Sequence, residues 1–260
     1  MEDNLKKATV DRREKILKLI SEEGKVYVHE LSALFNVSEV TIRNDLDQLE
    51  KKNHLIRARG GALKSESQVS LDFNLSEKHK LHYTEKASIG KKAASLISDS
   101  ETIILDSGTT TAEIAKNMAN LNNISVITNA INIVNILVQF PDINVIIPGG
   151  YLRKNSLSLV GPLAEKNLKN LYVDKVFIGV DGFDPNIGAF TPNIEEASLN
   201  EIMIGVAKEV ILVADSSKFN RKSLAFICPV SNINAVITDE GLSESDRKKL
   251  EDKGVKVIIA

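Results

Sequence analysis

Six consecutive residues, Asp106-Ser107-Gly108-Thr109-Thr110-Thr111, form the densest set of ligand-binding groups in the chain. Glycine lets a ligand approach the backbone, and three successive threonine hydroxyls can donate hydrogen bonds. A helix starting there would turn its free N–H groups and positive dipole end toward an anion. A phosphate or a phosphorylated sugar suits that combination, although an ordinary Ser/Thr-rich helix cap uses the same residue types. No Walker A sequence and no G-x-G-x-x-G is present, which disfavours nucleotides. Similar polar loops follow other apolar runs: Thr128-Asn129, Pro148-Gly149-Gly150, Gly179–Asp184 and Ala214–Phe219. Asn129, Gly149 and Gly150 join the candidate effector site on that basis. Within the last two loops, Asp181 offers an acceptor for sugar hydroxyls and Lys218 a charge for phosphate. Gly/Asp turns are common punctuation, so it is the recurrence of such loops at corresponding strand ends that points to one pocket.

A second set of residues suits nucleic acid. The segment VHELSALFNVSEVTIRNDLD (28–47) reads as helix, sharp turn, helix, with the spacing that places a second helix in the major groove of double-stranded DNA. On that helix Ser38, Thr41, Asn44 and Gln48 can hydrogen-bond bases or phosphates, and Arg43 can pair with guanine or a phosphate. Arg57 and Arg59 follow in a short basic strand that could enter a minor groove or hold the backbone. The plainer alternative is a small helical subdomain for protein contacts. The overall net charge of −2 argues against nucleic acid, but its distribution does not: residues 1–64 carry a net +2, and 51–64 hold five basic residues and no acidic one. His79 and His82 are too few for a metal site, and no cofactor motif is present. Cys228, the one cysteine, lies in an apolar run and reads as a buried structural thiol.

These groups need elements to hold them. At 260 residues, two domains are expected. Residues 1–62 read as three short helices and a hairpin. Helix 11–23 stops at Gly24, and 28–35 carries Leu31, Leu34 and Phe35 inward. Ser38 caps the third helix, in which Ile42, Leu46 and Leu49 face the core and Thr41, Arg43, Asn44, Asp45 and Gln48 fall on other faces. A strand at 55–59 broken by Gly60-Gly61 makes a wing. Residues 63–83 are polar and weakly periodic, a linker with some helix. From 84 to 260, seven apolar strands (102–106, 125–128, 144–147, 175–180, 210–214, 235–238 and 256–259) alternate with helices. That pattern predicts an α/β fold with a largely parallel, doubly covered sheet, which binds ligands at the carboxyl ends of its strands.

The head residues Gly24-Lys25-Val26, Glu30-Leu31, Val37-Ser38, Thr41–Leu46 and Arg59–Ala62 are similar to those of the DeoR family of bacterial sugar-metabolism repressors. So are Glu85-Lys86, Asp106–Thr111, Thr128-Asn129, Gly149-Gly150, Gly179–Asp184 and Asp215–Phe219, and the resemblance covers nearly the whole chain. The runs TIRNDL, ILDSGTTT, GVDGFD and DSSKFNR resemble most closely the N-acetylgalactosamine/galactitol utilisation subgroup. Asn44 stands where most members have a second arginine. The resemblance implies a winged helix-turn-helix joined to a Rossmann-like sensor domain related to ribose-5-phosphate isomerase. It further implies that Ser107–Thr111 hold the effector's phosphate while Asp181 and Lys218 line its sugar end. The expected function is a repressor released from operator DNA by a phosphorylated sugar. The alternative is a sugar-phosphate isomerase or deaminase-like enzyme carrying a head; a helix-turn-helix has no use in such an enzyme. A homo-oligomer, dimer or tetramer, is expected from two-fold operators. With no apolar signal core and no run long enough to cross a bilayer, the expected location is cytoplasmic and away from membranes.

Overall fold

The computed structural model describes residues 2–51, 55–58, 60–64 and 74–260. The chain divides into two compact units, 1–71 and 72–260.

In the first unit, helix α1 (Glu2–Glu23) ends at Gly24, whose φ of 76° is the left-handed conformation that glycine adopts without cost. Strand β1 (Lys25–Tyr27), helices α2 (Val28–Phe35) and α3 (Glu39–Lys51), and the hairpin β2 (Leu55–Ala58) and β3 (Gly61–Lys64) follow. β1 pairs antiparallel with β3, making a three-stranded sheet of the expected hairpin. This strand was not foreseen, because three residues are too few to show a period. A Cβ at Gly61 would lie 2.0 Å from the Val26 carbonyl oxygen, so only glycine permits this pairing. The core unites Ile16, Ile20, Val26, Leu31, Ile42, Leu46, Leu49 and Leu55. Two expectations fail. Leu34, expected inward, is 62% exposed. Asp45, expected on an outer face, is buried, with Arg12 at 2.5 Å and Arg13 at 2.7 Å fastening α1 to α3. An apolar/polar pattern cannot distinguish a buried carboxylate satisfied by two guanidinium groups from an exposed one.

The second unit opens with α4 (Leu75–Lys80) and α5 (Tyr83–Ala94), within the segment read as linker and just beyond it. Then come β4 (Thr102–Leu105), α6 (Thr109–Lys116), β5 (Ile124–Thr128), α7 (Ile131–Leu137), β6 (Ile143–Ile146), β7 (Tyr151–Arg153), β8 (Ser158–Val160), α8 (Pro162–Leu168) and β9 (Val173–Gly179). After them lie β10 (Gly182–Asp184), β11 (Gly188–Thr191), α9 (Ile194–Gly205), β12 (Ala207–Val213), β13 (Ala225–Pro229), β14 (Ala235–Thr238), α10 (Glu244–Glu251) and β15 (Lys256–Ile259). All seven expected strands form one sheet in the order β15-β14-β12-β9-β4-β5-β6, parallel throughout. Alternate residues serve opposite faces: Ile104, Val176 and Leu212 pack with α8, α9 and α10, while Ile103, Leu105, Phe177 and Ile211 pack with α5, α6 and α7. The short antiparallel pair β7-β8 and the sheet β10-β11-β13 are additional to the expected strands; only β10 falls in a segment expected to be a loop, Gly179–Asp184.

Candidate functional site

In the first unit, α2 closes on Asn36 in the left-handed conformation (φ 51°), whose N–H reaches back to the Ala33 carbonyl. Ser32 Oγ donates to the Val37 carbonyl at 2.6 Å and fixes the turn. Ser38 Oγ then accepts from the Thr41 N–H at 3.2 Å, and the two hydroxyls meet at 2.9 Å, forming the cap that starts α3. Arg43 is exposed and pairs with Glu39, one turn earlier, at 2.5 Å. Asn44 and Gln48 are exposed, with no side-chain hydrogen bond among the described residues. Arg57 is tied down: its Nε lies 2.9 Å from Asp47 and its Nη1 donates to the Gly61 carbonyl at 2.8 Å, joining the wing to α3. Arg59 lies outside the described residues.

In the second unit, β12, β9 and β4 are neighbours in a parallel sheet, and their carboxyl ends carry Asp215, Asp181 and Asp106. After β4, Gly108 is the N-cap of α6 and Thr109, Thr110 and Thr111 form its buried first turn. Free amides and the hydroxyls of Thr109 and Thr110 there favour an anion, while Thr111 Oγ1 donates to the Gly108 carbonyl at 3.3 Å. Asp106 Oδ1 accepts from the Ser107 N–H at 2.6 Å, and Asn200 of α9 donates to Oδ2 at 3.3 Å. Burial, with Glu196 adding repulsion, pushes the Asp106 carboxyl up to about 8, so it is mainly neutral at pH 7 and does not repel an anion at the adjoining loop.

Asp181 is the electrostatic centre. Its Oδ1 lies 2.7 Å from Lys78 Nζ and 3.9 Å from Lys218 Nζ. Burial works to raise its pKa, but Lys78 and then Lys218 outweigh this and hold it below the usual carboxylate range. Lys86 of α5 is buried and donates to the Lys78 and Leu81 carbonyls, both at 2.5 Å, closing the carboxyl end of α4. Burial and then the nearby Lys218 lower its pKa to about 8. Phe219, beside Lys218, stacks edge-on against Phe183 at 5.4 Å, which holds the Asp181 and Lys218 loops together. Asp215 Oδ2 is buried and has no hydrogen-bond partner, and so is Asn129 Oδ1. An orphaned buried acceptor is costly, and a ligand hydroxyl or ammonium would satisfy it.

Asp181 and Lys218 thus belong to one cluster, and Asp106 and Ser107, at the start of the α6 turn, lie beside Gly179 at the end of the strand that leads to Asp181. Gly149 and Gly150 stand apart from these contacts: their neighbours are Leu163 and Asn167, and Val160 and Ala164, respectively. Asn129 donates to the Leu159 carbonyl. Reasoning from sequence did not choose Lys78, Lys86, Asn200 or Asp215. Two lysines in a polar stretch look like solvent-facing charge, and they lie on separate helices, α4 and α5; only the family resemblance, through Glu85-Lys86 and Asp215–Phe219, touched Lys86 and Asp215.

The description "DeoR-like helix-turn-helix domain" matches residues 12–68, and "DeoR C terminal sensor domain" matches 81–240. A protein of Escherichia coli O157:H7 named as an aga operon transcriptional repressor is 42% identical over 252 residues, covering 96% of this chain and 94% of that protein. The HTH-type transcriptional regulator YulB of Bacillus subtilis is 37% identical over 95% of each chain. Among solved structures, a ribose 5-phosphate isomerase of Methanocaldococcus jannaschii aligns with a TM-score of 0.39 at 19% identity, covering 52% of this chain and 53% of that one. Two family models end to end and relatives aligned along nearly their full length leave one assignment: the chain belongs to the DeoR family, a DNA-binding transcription regulator with a sensor domain rather than an enzyme.

Proposed function

We propose that this protein represses a sugar-utilisation operon and leaves its operator when a phosphorylated sugar occupies the pocket of the second unit. The reading divides the chain into a DNA-binding domain at 1–62, a connection at 63–83 and an effector domain at 84–260. Ser107–Thr111 receive the phosphate with Asp106 neutral beside them. Asp181 and Lys218 meet the sugar, with Lys78, Lys86 and Asp215 adding to the pocket. Asn129, Gly149 and Gly150 complete its rim. In the head, Ser38, Thr41, Arg43, Asn44 and Gln48 face the operator, with Arg57 and Arg59 in the wing. The protein works as a cytoplasmic homo-oligomer on a two-fold operator.

The observation that carries this reading is the Lys78–Asp181 pair. Lys78 belongs to α4, on the chain's path from the head, and its partner lies at the end of a sheet strand. A sugar that competes for Asp181, or a phosphate that draws Lys78 away, changes how α4 is held. That supplies the differential contact which coupling between two sites requires.

The test is DNA-binding affinity for the upstream region of neighbouring sugar genes, with and without sugar phosphates, beginning with galactosamine-6-phosphate and tagatose phosphates. The amino sugar comes first because the aga relative is named for such an operon. One compound should weaken binding by about 5- to 150-fold and raise the melting temperature. Thr109→Ala with Thr110→Ala should keep DNA affinity and lose the response. If no sugar phosphate changes either readout, or if the double variant still responds fully, the effector reading is wrong.

A further inference from the structure

The outward face of α3 carries two amide side chains and one apolar one. Buried Ile42, Asp45, Leu46 and Leu49 fix the inward side of this helix. At about 100° per residue, Val40 and Asn44 lie within about 30° of the opposite direction, and Gln48 follows one turn on, about 70° round. All three are exposed, Val40 by 62%. Neither amide has a hydrogen-bond partner among the described residues. Of the charges nearby, Arg43 lies about 70° round on the other flank, in an exposed pair with Glu39 at 2.5 Å that a phosphate can replace, and Asp47 pairs with Arg57 at 2.9 Å. Among residues 39–50 no arginine or lysine lies on this stripe, while Lys51 continues it at the carboxyl end of α3 and its side chain lies outside the described residues.

We infer that α3 reads adenine–thymine pairs, with Asn44 and Gln48 each bonding an adenine and Val40 packing on a thymine methyl group. In the major groove an amide side chain matches the N6 donor and N7 acceptor of adenine. A guanine presents two acceptors and calls for arginine or lysine, while an apolar side chain suits the methyl group that only thymine carries. Residues four apart are about 6 Å apart along the helix, about two base-pair steps. The three contacts therefore span a core of about four to five base pairs in each half-site, while Arg43 on the flank holds a phosphate.

This inference rests on the DNA-binding role of α3. The experiment is selection of binding sites from random duplexes by the full chain, repeated with Asn44→Ala, Gln48→Ala, Asn44→Arg and Arg43→Ala, each variant checked for an unchanged melting curve. The parent should select half-sites with an adenine–thymine core. Asn44→Ala and Gln48→Ala should each flatten preference at one position, costing about 5- to 150-fold there with the salt dependence unchanged. Asn44→Arg should move that position to guanine. Arg43→Ala should weaken binding to all sequences and lower the salt slope by about one. A guanine–cytosine core, or unaltered base preference in both alanine variants, overturns the inference and leaves the repressor reading standing. A parent that selects no sequence overturns both.

Discussion

Asp106 carries its proton to a pH where an ordinary aspartate is ionised. The cause is burial first, then repulsion from Glu196, and hydrogen bonds from Ser107 and Gly179 offset only part of this. The folded pKa of about 8 stands above the 3.8 of the unfolded chain, so between those values the folded state binds the extra proton. Stability should therefore fall as pH rises from about 4 toward 8. Asp106→Asn, uncharged throughout, should flatten that slope, gaining on the parent between pH 5 and pH 8 in urea titrations. Parallel profiles would show that Asp106 is ionised in the folded protein. The Ser107–Thr111 loop was legible in the sequence because it is local. The neutral state of its neighbour was not, since the causes come from residue 196 and from burial in the completed fold.

Among the helices, α5 and α6 are a pair whose spacing leaves no room for a side chain. A Cβ on Gly90 would meet the backbone of Glu113 at 2.6 Å, so the helices touch where α5 has no side chain. Gly90→Ala should cost about 1–3 kcal/mol, the range for forcing atoms into a packed interface. Because α6 begins with the three threonines, the variant should also weaken sugar-phosphate binding. Chemical denaturation and a ligand-induced melting shift measure the two effects, and an unchanged value in both would mean the helices separate easily. Long, regular elements were readable: every strand of the parallel sheet came from its apolar run. Strands β7, β8, β10 and β11 were not, being three or four residues long and defined by partners rather than by any period of their own. Helix α4 was expected only as some helix within the linker; its bounds are set by Lys86 at its carboxyl end and Asp181 beyond.

At the scale of the whole molecule, the two units have separate cores. The smaller rests on few large apolar side chains and on Asp45 held by two arginines. Calorimetry should record two transitions, with a sugar phosphate raising only that of residues 72–260, since a ligand stabilises only the unit that binds it. A single transition that moves as a whole would show that the units unfold together. The sequence disclosed the two-part plan through its change of pattern near residue 84. The balance of charge needed the same division, because the total of −2 conceals a basic head.

The groups proposed for the pocket are scattered along the chain: Lys78 and Lys86 come early, while Asp181, Asp215 and Lys218 come 95 or more residues later. The head's core, by contrast, closes with Ala62. At translation rates of about 5–20 residues per second, roughly 8–30 seconds separate the two events on the ribosome. A nascent chain thus has the means to grip DNA before it has any means to be told to let go. A message broken between those points would encode a head deaf to sugar.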